Sequence, residues 1–230
     1  MLAMTMVVGE VCFRPPRHFD NAAQWLHALG DVPLERVIFD PWPGTATEAD
    51  LLRLVDRDKR LCELIDGTLV EKPMGNLEAN VAMRLGARLT TWSDAADAGA
   101  VSGADTTLQM ANGRIRLPDV AFFSRQRLPG GFLPSEAIPE LAPDLVVEVL
   151  SESNTAAEMQ QKLQEFFHSG TKLAWVVDLR RRTVAIHHTP DAATRILSQN
   201  DMLEGEDVAP GFTMAVSDLF RNVPPMEIGR

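Results

Sequence analysis

Leu145-Val146-Val147-Glu148-Val149-Leu150 is an apolar run broken by a single charge. Unbroken Val and Leu over such a length read as a strand buried on both faces. An ionised carboxylate there is costly unless it is paired, hydrogen-bonded or bound to a metal. Glu148 therefore needs a partner. Working outward, Asp119 precedes a second apolar segment, Pro118-Asp119-Val120-Ala121-Phe122-Phe123, and Lys162 lies on the helix predicted after the Glu148 strand. Two strand-borne carboxylates and a lysine suit phosphodiester cleavage with a divalent metal. Mg²⁺, or Mn²⁺ in its place, is held by one or two carboxylates and completed by water and substrate phosphate.

The neighbouring segments frame this strand. Thr155-Ala156-Ala157-Glu158 is a capping-box pattern that starts a helix with Met159, Leu163, Phe166 and Phe167 on its apolar side, and Gly170 ends it. On helix geometry Lys162 falls roughly 40° outside that apolar arc, close enough to reach over the core edge toward the sheet. Leu173–Asp178 and Thr183–His188 read as strands joined by the basic turn Arg180-Arg181-Arg182. Upstream, Leu61 to Glu71 is a hairpin turning at Asp66-Gly67, and Thr106 to Leu117 is another turning at Asn112-Gly113. Leu77, Val81, Leu85, Leu89 and Trp92 have the spacing of an amphipathic helix over 76–92. Short helices are expected at about 20–29 and, capped by Thr47, at about 47–56. A last short helix is expected near Val216–Phe220. Residues 124–144, rich in Gly and Pro, form a long connection. The whole describes an α/β (α+β) chain with a central mixed sheet flanked by helices. Its expected divisions are an N-terminal extension at 1–50, one domain at 51–222 and a tail at 223–230.

Composition narrows the function. The net charge is −10 and the pI about 5.0, which argues against a general nucleic-acid coating protein but not against a nuclease with a carboxylate-rich site. Cys12 and Cys62 have no metal-ligand spacing, which favours a reducing cytoplasm. No run approaches the roughly 18 apolar residues of a membrane span, so a cytoplasmic location is expected. Phe39, Trp42 and the Pro-rich extension offer an apolar patch for a homodimer able to cut both DNA strands.

Each candidate also has a plainer reading. Asp119 after Pro118 also reads as a strand-start turn residue, and Glu148 as one end of a buried ion pair with Lys162. Lys162 taken alone reads as a snorkelling surface lysine. Glu63 shares a strand face with Leu61 and Ile65, as an inward acid or as an edge-strand charge. Glu78 reads as solvated. His187 and His188 point to opposite faces of a strand and make no metal pair. Arg180–Arg182 reads as a solvated turn that can touch phosphate.

Three sets of residues carry a resemblance. They are Glu63-Leu64-Ile65-Asp66-Gly67-Thr68-Leu69-Val70-Glu71; Pro118-Asp119-Val120-Ala121-Phe122; and Asp144-Leu145-Val146-Val147-Glu148-Val149-Leu150-Ser151 with Ser153-Asn154 and Lys162-Leu163. With Ala174-Trp175-Val176-Val177-Asp178 and Arg182-Thr183-Val184, this order resembles the Uma-type (Uma "two") restriction endonuclease family, within the PD-(D/E)XK nuclease superfamily. The resemblance spans roughly 60–220. It implies a restriction-endonuclease-like core, a DNA substrate, Asp119 and Glu148 as metal carboxylates, and Glu63 as an accessory acid. Leu150 stands where the superfamily's ExK lysine would fall; in this family the lysine has moved to the following helix, which Lys162 matches. The alternatives are a non-catalytic binding or assembly module on the same fold, and a metal-dependent hydrolase of RNA or small phosphodiesters.

Overall fold

In the computed structural model, which describes residues 19–225, Leu145–Leu150 is a strand in the interior of a six-stranded sheet. In chain order the elements are α1 (Ala22–Ala28), β1 (Val37–Ile38), α2 (Glu48–Asp56), β2 (Cys62–Ile65), β3 (Thr68–Glu71), α3 (Asn76–Ala96), β4 (Gly99–Ser102), β5 (Leu108–Gln109) and β6 (Ile115–Arg116). There follow β7 (Val120–Ser124), β8 (Leu145–Leu150), α4 (Ala156–Ser169), β9 (Leu173–Asp178), β10 (Thr183–His187), β11 (Arg195–Leu197), β12 (Met202–Glu204), β13 (Thr213–Ala215) and α5 (Val216–Leu219). Pro15, Pro16 and Cys12, and the end of the tail from 226 on, lie outside the described residues.

The large sheet has the order β11-β10-β9-β8-β7-β4. β8 and β9 run parallel and every other pair is antiparallel. A parallel pair needs a crossover, and α4 supplies it. Because side chains alternate along a strand, β8 serves two cores at once. Leu145, Val147 and Val149 face α3, whose Val81, Leu85 and Leu89 recur at helical spacing. Val146 faces Met159, Leu163 and Phe166 of α4. Burying each such side chain is worth roughly 1.5–3 kcal/mol. Glu148 has the parity of Val146, so it points toward α4. The β12–β13 pair and α5 extend the α3 side with Phe212, Val216, Leu219 and Phe220.

A second sheet, in the order β1-β3-β2-β6-β5, stands beside the first. The β2–β3 turn has positive φ at both Asp66 (47°) and Gly67 (74°), as a two-residue type I′ hairpin demands. Residues 29–46 join this sheet: β1 pairs with β3, and Leu29, Val32 and Val37 are buried with Ile65 and Val70. The expected cap at Thr155 forms by half. Thr155 Oγ1 accepts from the Glu158 backbone N–H at 2.9 Å, but the Glu158 carboxylate turns to Arg36 at 2.6 and 2.9 Å and to Asn154 at 2.8 Å. A charged fork outcompetes a neutral backbone donor. Of the basic turn, Arg182 is structural: it donates to the Phe220 and Val223 carbonyls and lies over the Phe220 ring at 5.3 Å.

Gly30 sits where the α1 segment meets α4. Its φ is +86°, and a Cβ there would lie 2.6 Å from the Glu158 Cα. Gly30→Ala should therefore cost about 1–3 kcal/mol, seen as a lowered midpoint in thermal unfolding. An unchanged midpoint would show that this joint is loose. Phe39 and Trp42 are exposed and stack edge to face at 5.5 Å. Cys62 is a buried free thiol whose pKa burial pushes up to about 12, so it behaves as an apolar side chain. Among the described residues no helix is long and apolar enough to cross a membrane.

Candidate active site

The strand register brings the two strand carboxylates together. β7 and β8 pair Val120 with Val147, and the Asp119 N–H donates to the Val147 carbonyl at 3.0 Å. Asp119 and Glu148 lie just past the last pair of that register, near enough for the Asp119 charge to act on Glu148. Two like charges so placed repel. Both side chains are buried. Asp119 Oδ2 accepts from the Val149 N–H at 2.6 Å, and Oδ1 is paired with Lys72 at 2.7 Å. Glu148 Oε2 accepts from Lys162 at 3.1 Å, while Oε1 is buried and has no hydrogen-bond partner among the described residues. Burial first, offset in part by Lys162, and then the Asp119 charge raise the Glu148 pKa to about 7.

Lys162 does not snorkel. It is 1 % exposed and held between Glu63 Oε1 at 2.9 Å and Glu148 Oε2 at 3.1 Å. The lysine stem covers the gap between helix and sheet, and the carboxylates replace the water the ammonium would otherwise seek. Burial works against its charge, but Glu148, Glu63 and Glu158 outweigh that and raise its pKa. Glu63 is inward and buried; it also takes Arg116 at 2.7 Å. Arg116 in turn donates to Glu165 at 2.5 Å, and Arg114 links Glu165 at 2.6 Å to Asp66 at 2.6 Å. The result is a chain of alternating charges from the β2–β3 turn to Glu148.

Burial alone would push the Glu63 carboxyl up, yet Lys162 and Arg116 hold it down at about 2. Its folded pKa lies below the unfolded value of about 4.5, so its contribution is present above pH 4.5 and lost as pH falls toward 2. The shift corresponds to about 3 kcal/mol. Urea unfolding between pH 5 and 2 should show stability falling across that window in the wild type, with a shallower fall in Glu63→Gln. Parallel curves would remove Glu63 from the network.

Asp119, Glu148, Lys162 and Glu63 thus converge, and the structure adds Lys72 and Arg116. Arg116 carried the same mark as Glu148, a lone charge between apolar neighbours in Ile115-Arg116-Leu117. Lys72, between Glu71 and Pro73, carried no comparable mark. Glu78 lies at the start of α3, folded back over Gly75, apart from the cluster. His187 turns to the Asp191 carbonyl and His188 to Glu206, so they share no ligand. A cleft of about 830 Å³ between α1 and α4, lined by His27, Arg114, Gln161 and His168 among others, contains none of the four predicted residues.

Among the described residues no three His, Cys, Asp or Glu side chains gather as a ready metal cage. Mg²⁺ does not require one, because it keeps several waters and binds through one or two carboxylates with substrate phosphate. The orphaned Glu148 Oε1 and the nearby Asp119 fit that mode.

A mixed sheet with a helix on each face and neighbouring carboxylates, one on a central strand and one at the start of the next, defines a restriction-endonuclease-like protein. The chain belongs to the family described as "Uma2: Putative restriction endonuclease", whose model matches residues 48–217. A crystal structure of "a putative nuclease belonging to DUF820 from Anabaena variabilis" has the same fold. It is 18% identical, covers 71% of this chain and 91% of its own, and superposes with a TM-score of 0.62. No curated protein matches the chain.

Proposed function

We propose that this protein is a divalent-metal-dependent endonuclease that hydrolyses DNA phosphodiester bonds, with Asp119 and Glu148 as the metal carboxylates. The observation that carries this reading is Glu148 Oε1, a buried oxygen with no partner among the described residues, beside the charge of Asp119. Leaving such an acceptor unpaired costs about 1–3 kcal/mol or more, which a bound cation would offset. When bound, Mg²⁺ or Mn²⁺ would neutralise phosphoryl charge and make water a better nucleophile. Lys162 acts through Glu148: it holds Oε2 and leaves Oε1 for the ion. Glu63, clamped by Arg116, keeps Lys162 in that place.

The saturated pairing of Lys162 with Glu63 and Glu148 also favours a second reading, a non-catalytic module in which the network only specifies the fold. Plasmid, single-stranded DNA and RNA incubated with the protein in Mg²⁺ or Mn²⁺, with and without chelator, separate the two. DNA cleavage abolished by chelator is the expected result. RNA cut while DNA is spared would move the substrate class. No cleavage, together with no metal binding in the presence of DNA, would leave the non-catalytic module.

A further inference from the structure

We propose that Lys72 is a resident counter-cation of the Asp119–Glu148 site, which must leave Asp119 for a divalent ion to bind there. This rests on the metal-ligand reading of Asp119 and Glu148. Asp119 Oδ2 is committed to the Val149 N–H, so Oδ1 is the oxygen left for an ion, and Lys72 Nζ sits on it at 2.7 Å. The two side chains are 3 % and 4 % exposed. An ammonium and a divalent cation on one carboxylate oxygen repel strongly in so buried a place. One must yield.

The structure shows which lysine is able to. Lys162 is gripped by two carboxylates at 2.9 and 3.1 Å inside the core. Among the described residues Lys72 has one ion-paired carboxylate and a long contact to the Ala104 carbonyl at 3.4 Å. Its backbone is fixed, because the Lys72 N–H donates to the Leu61 carbonyl at 2.7 Å, so movement is confined to the flexible stem. Ala104 is half-buried and Asp105 exposed, which gives the displaced ammonium a solvated exit beside the site. In the ion-free protein Lys72 thus neutralises Asp119, and on ion binding it moves to the rim, where substrate phosphate would arrive.

A placeholder that must be displaced lowers the apparent affinity for the ion by the fraction of time the site is open. Mn²⁺ titration calorimetry should therefore find Lys72→Met binding the ion about tenfold or more tighter than the wild type. The ion-free variant should melt lower, with a larger upward shift when Mn²⁺ is added. Lys72→Gln serves if Lys72→Met does not fold. In the wild type, amine labelling read by mass spectrometry is simple, since the lysines are Lys59, Lys72, Lys162 and Lys172. Mn²⁺ should raise labelling at Lys72 and leave Lys162 protected, a response that a merely structural lysine would not give. Mn²⁺ bound equally or more weakly by the variants, with Lys72 labelling unchanged, overturns the proposal while the metal-site reading stands. No Mn²⁺ binding by wild type or variants, with or without DNA, overturns both.

Discussion

Lys162→Met should lower the unfolding free energy by about 3–5 kcal/mol, although methionine nearly matches the lysine stem in volume. The packing of that buried stem would survive. What is lost is the cation between two buried acids. Glu63 keeps Arg116 at 2.7 Å, but Glu148 loses its one hydrogen-bond donor and is left with both oxygens unpaired. Its carboxyl, already raised to about 7, would be driven further up and held neutral. Removing both charges together is a different experiment. Lys162→Met combined with Glu148→Leu takes away the ion and its counter-ion, so much of the loss should return. Urea unfolding of the two single variants and the double variant gives the coupling directly. A cost below about 1 kcal/mol for Lys162→Met would mean the ammonium is solvated, and the buried network would have to be abandoned.

The second large effect falls on function rather than stability. Glu148→Gln keeps the shape of the side chain and an oxygen to accept from Lys162, so the protein should still fold. It removes the charge that the proposed ion needs. Mg²⁺ or Mn²⁺ binding should fall below detection by calorimetry, and DNA cleavage should drop by about a hundredfold or more, the scale of losing one preorganised electrostatic contact. Binding and cleavage equal to the wild type would take Glu148 out of the site. pH offers an independent check. The folded pKa of Glu148 is raised above its ordinary 4.5, so its contribution to the ion-free fold is fully present below 4.5 and is lost as pH rises through about 7. The Glu148→Gln variant should not show that loss, and should gain stability on the wild type between pH 5 and 8.

The acid at position 148 led the reading because its anomaly is local. Side chains alternate along a strand, so a charge in an apolar run is visible without knowing what lies beside it. Arg116 shows the same mark. The 3.6-residue period of the helix over Asn76–Ala96, the Asp66-Gly67 turn and the Thr47 cap are likewise decided by neighbours a few residues away, and they appear as expected. The long connection at 124–144 also appears, broken by one short 3-10 turn.

Partnership is not local. Lys72 follows a strand of the smaller sheet and Asp119 precedes a strand of the larger one, and nothing in Glu71-Lys72-Pro73 tells a buried lysine from a solvated one. The Glu158 carboxylate shows the same limit, since its spacing from Thr155 suggested a reciprocal cap until Arg36 arrived from the far end of the chain. By itself, then, the sequence determined the central strands, the main helices, their buried faces and the presence of acids in need of a partner, because each follows from short-range periodicity and desolvation. The short strands Val37–Ile38, Gly99–Ser102, Arg195–Leu197, Met202–Glu204 and Thr213–Ala215 carried no such signal. Only the tertiary structure decided which cation meets which acid. A buried charge takes whatever counter-charge the packing of distant segments brings within about 3 Å, and that distance is set by the fold and not by spacing along the chain.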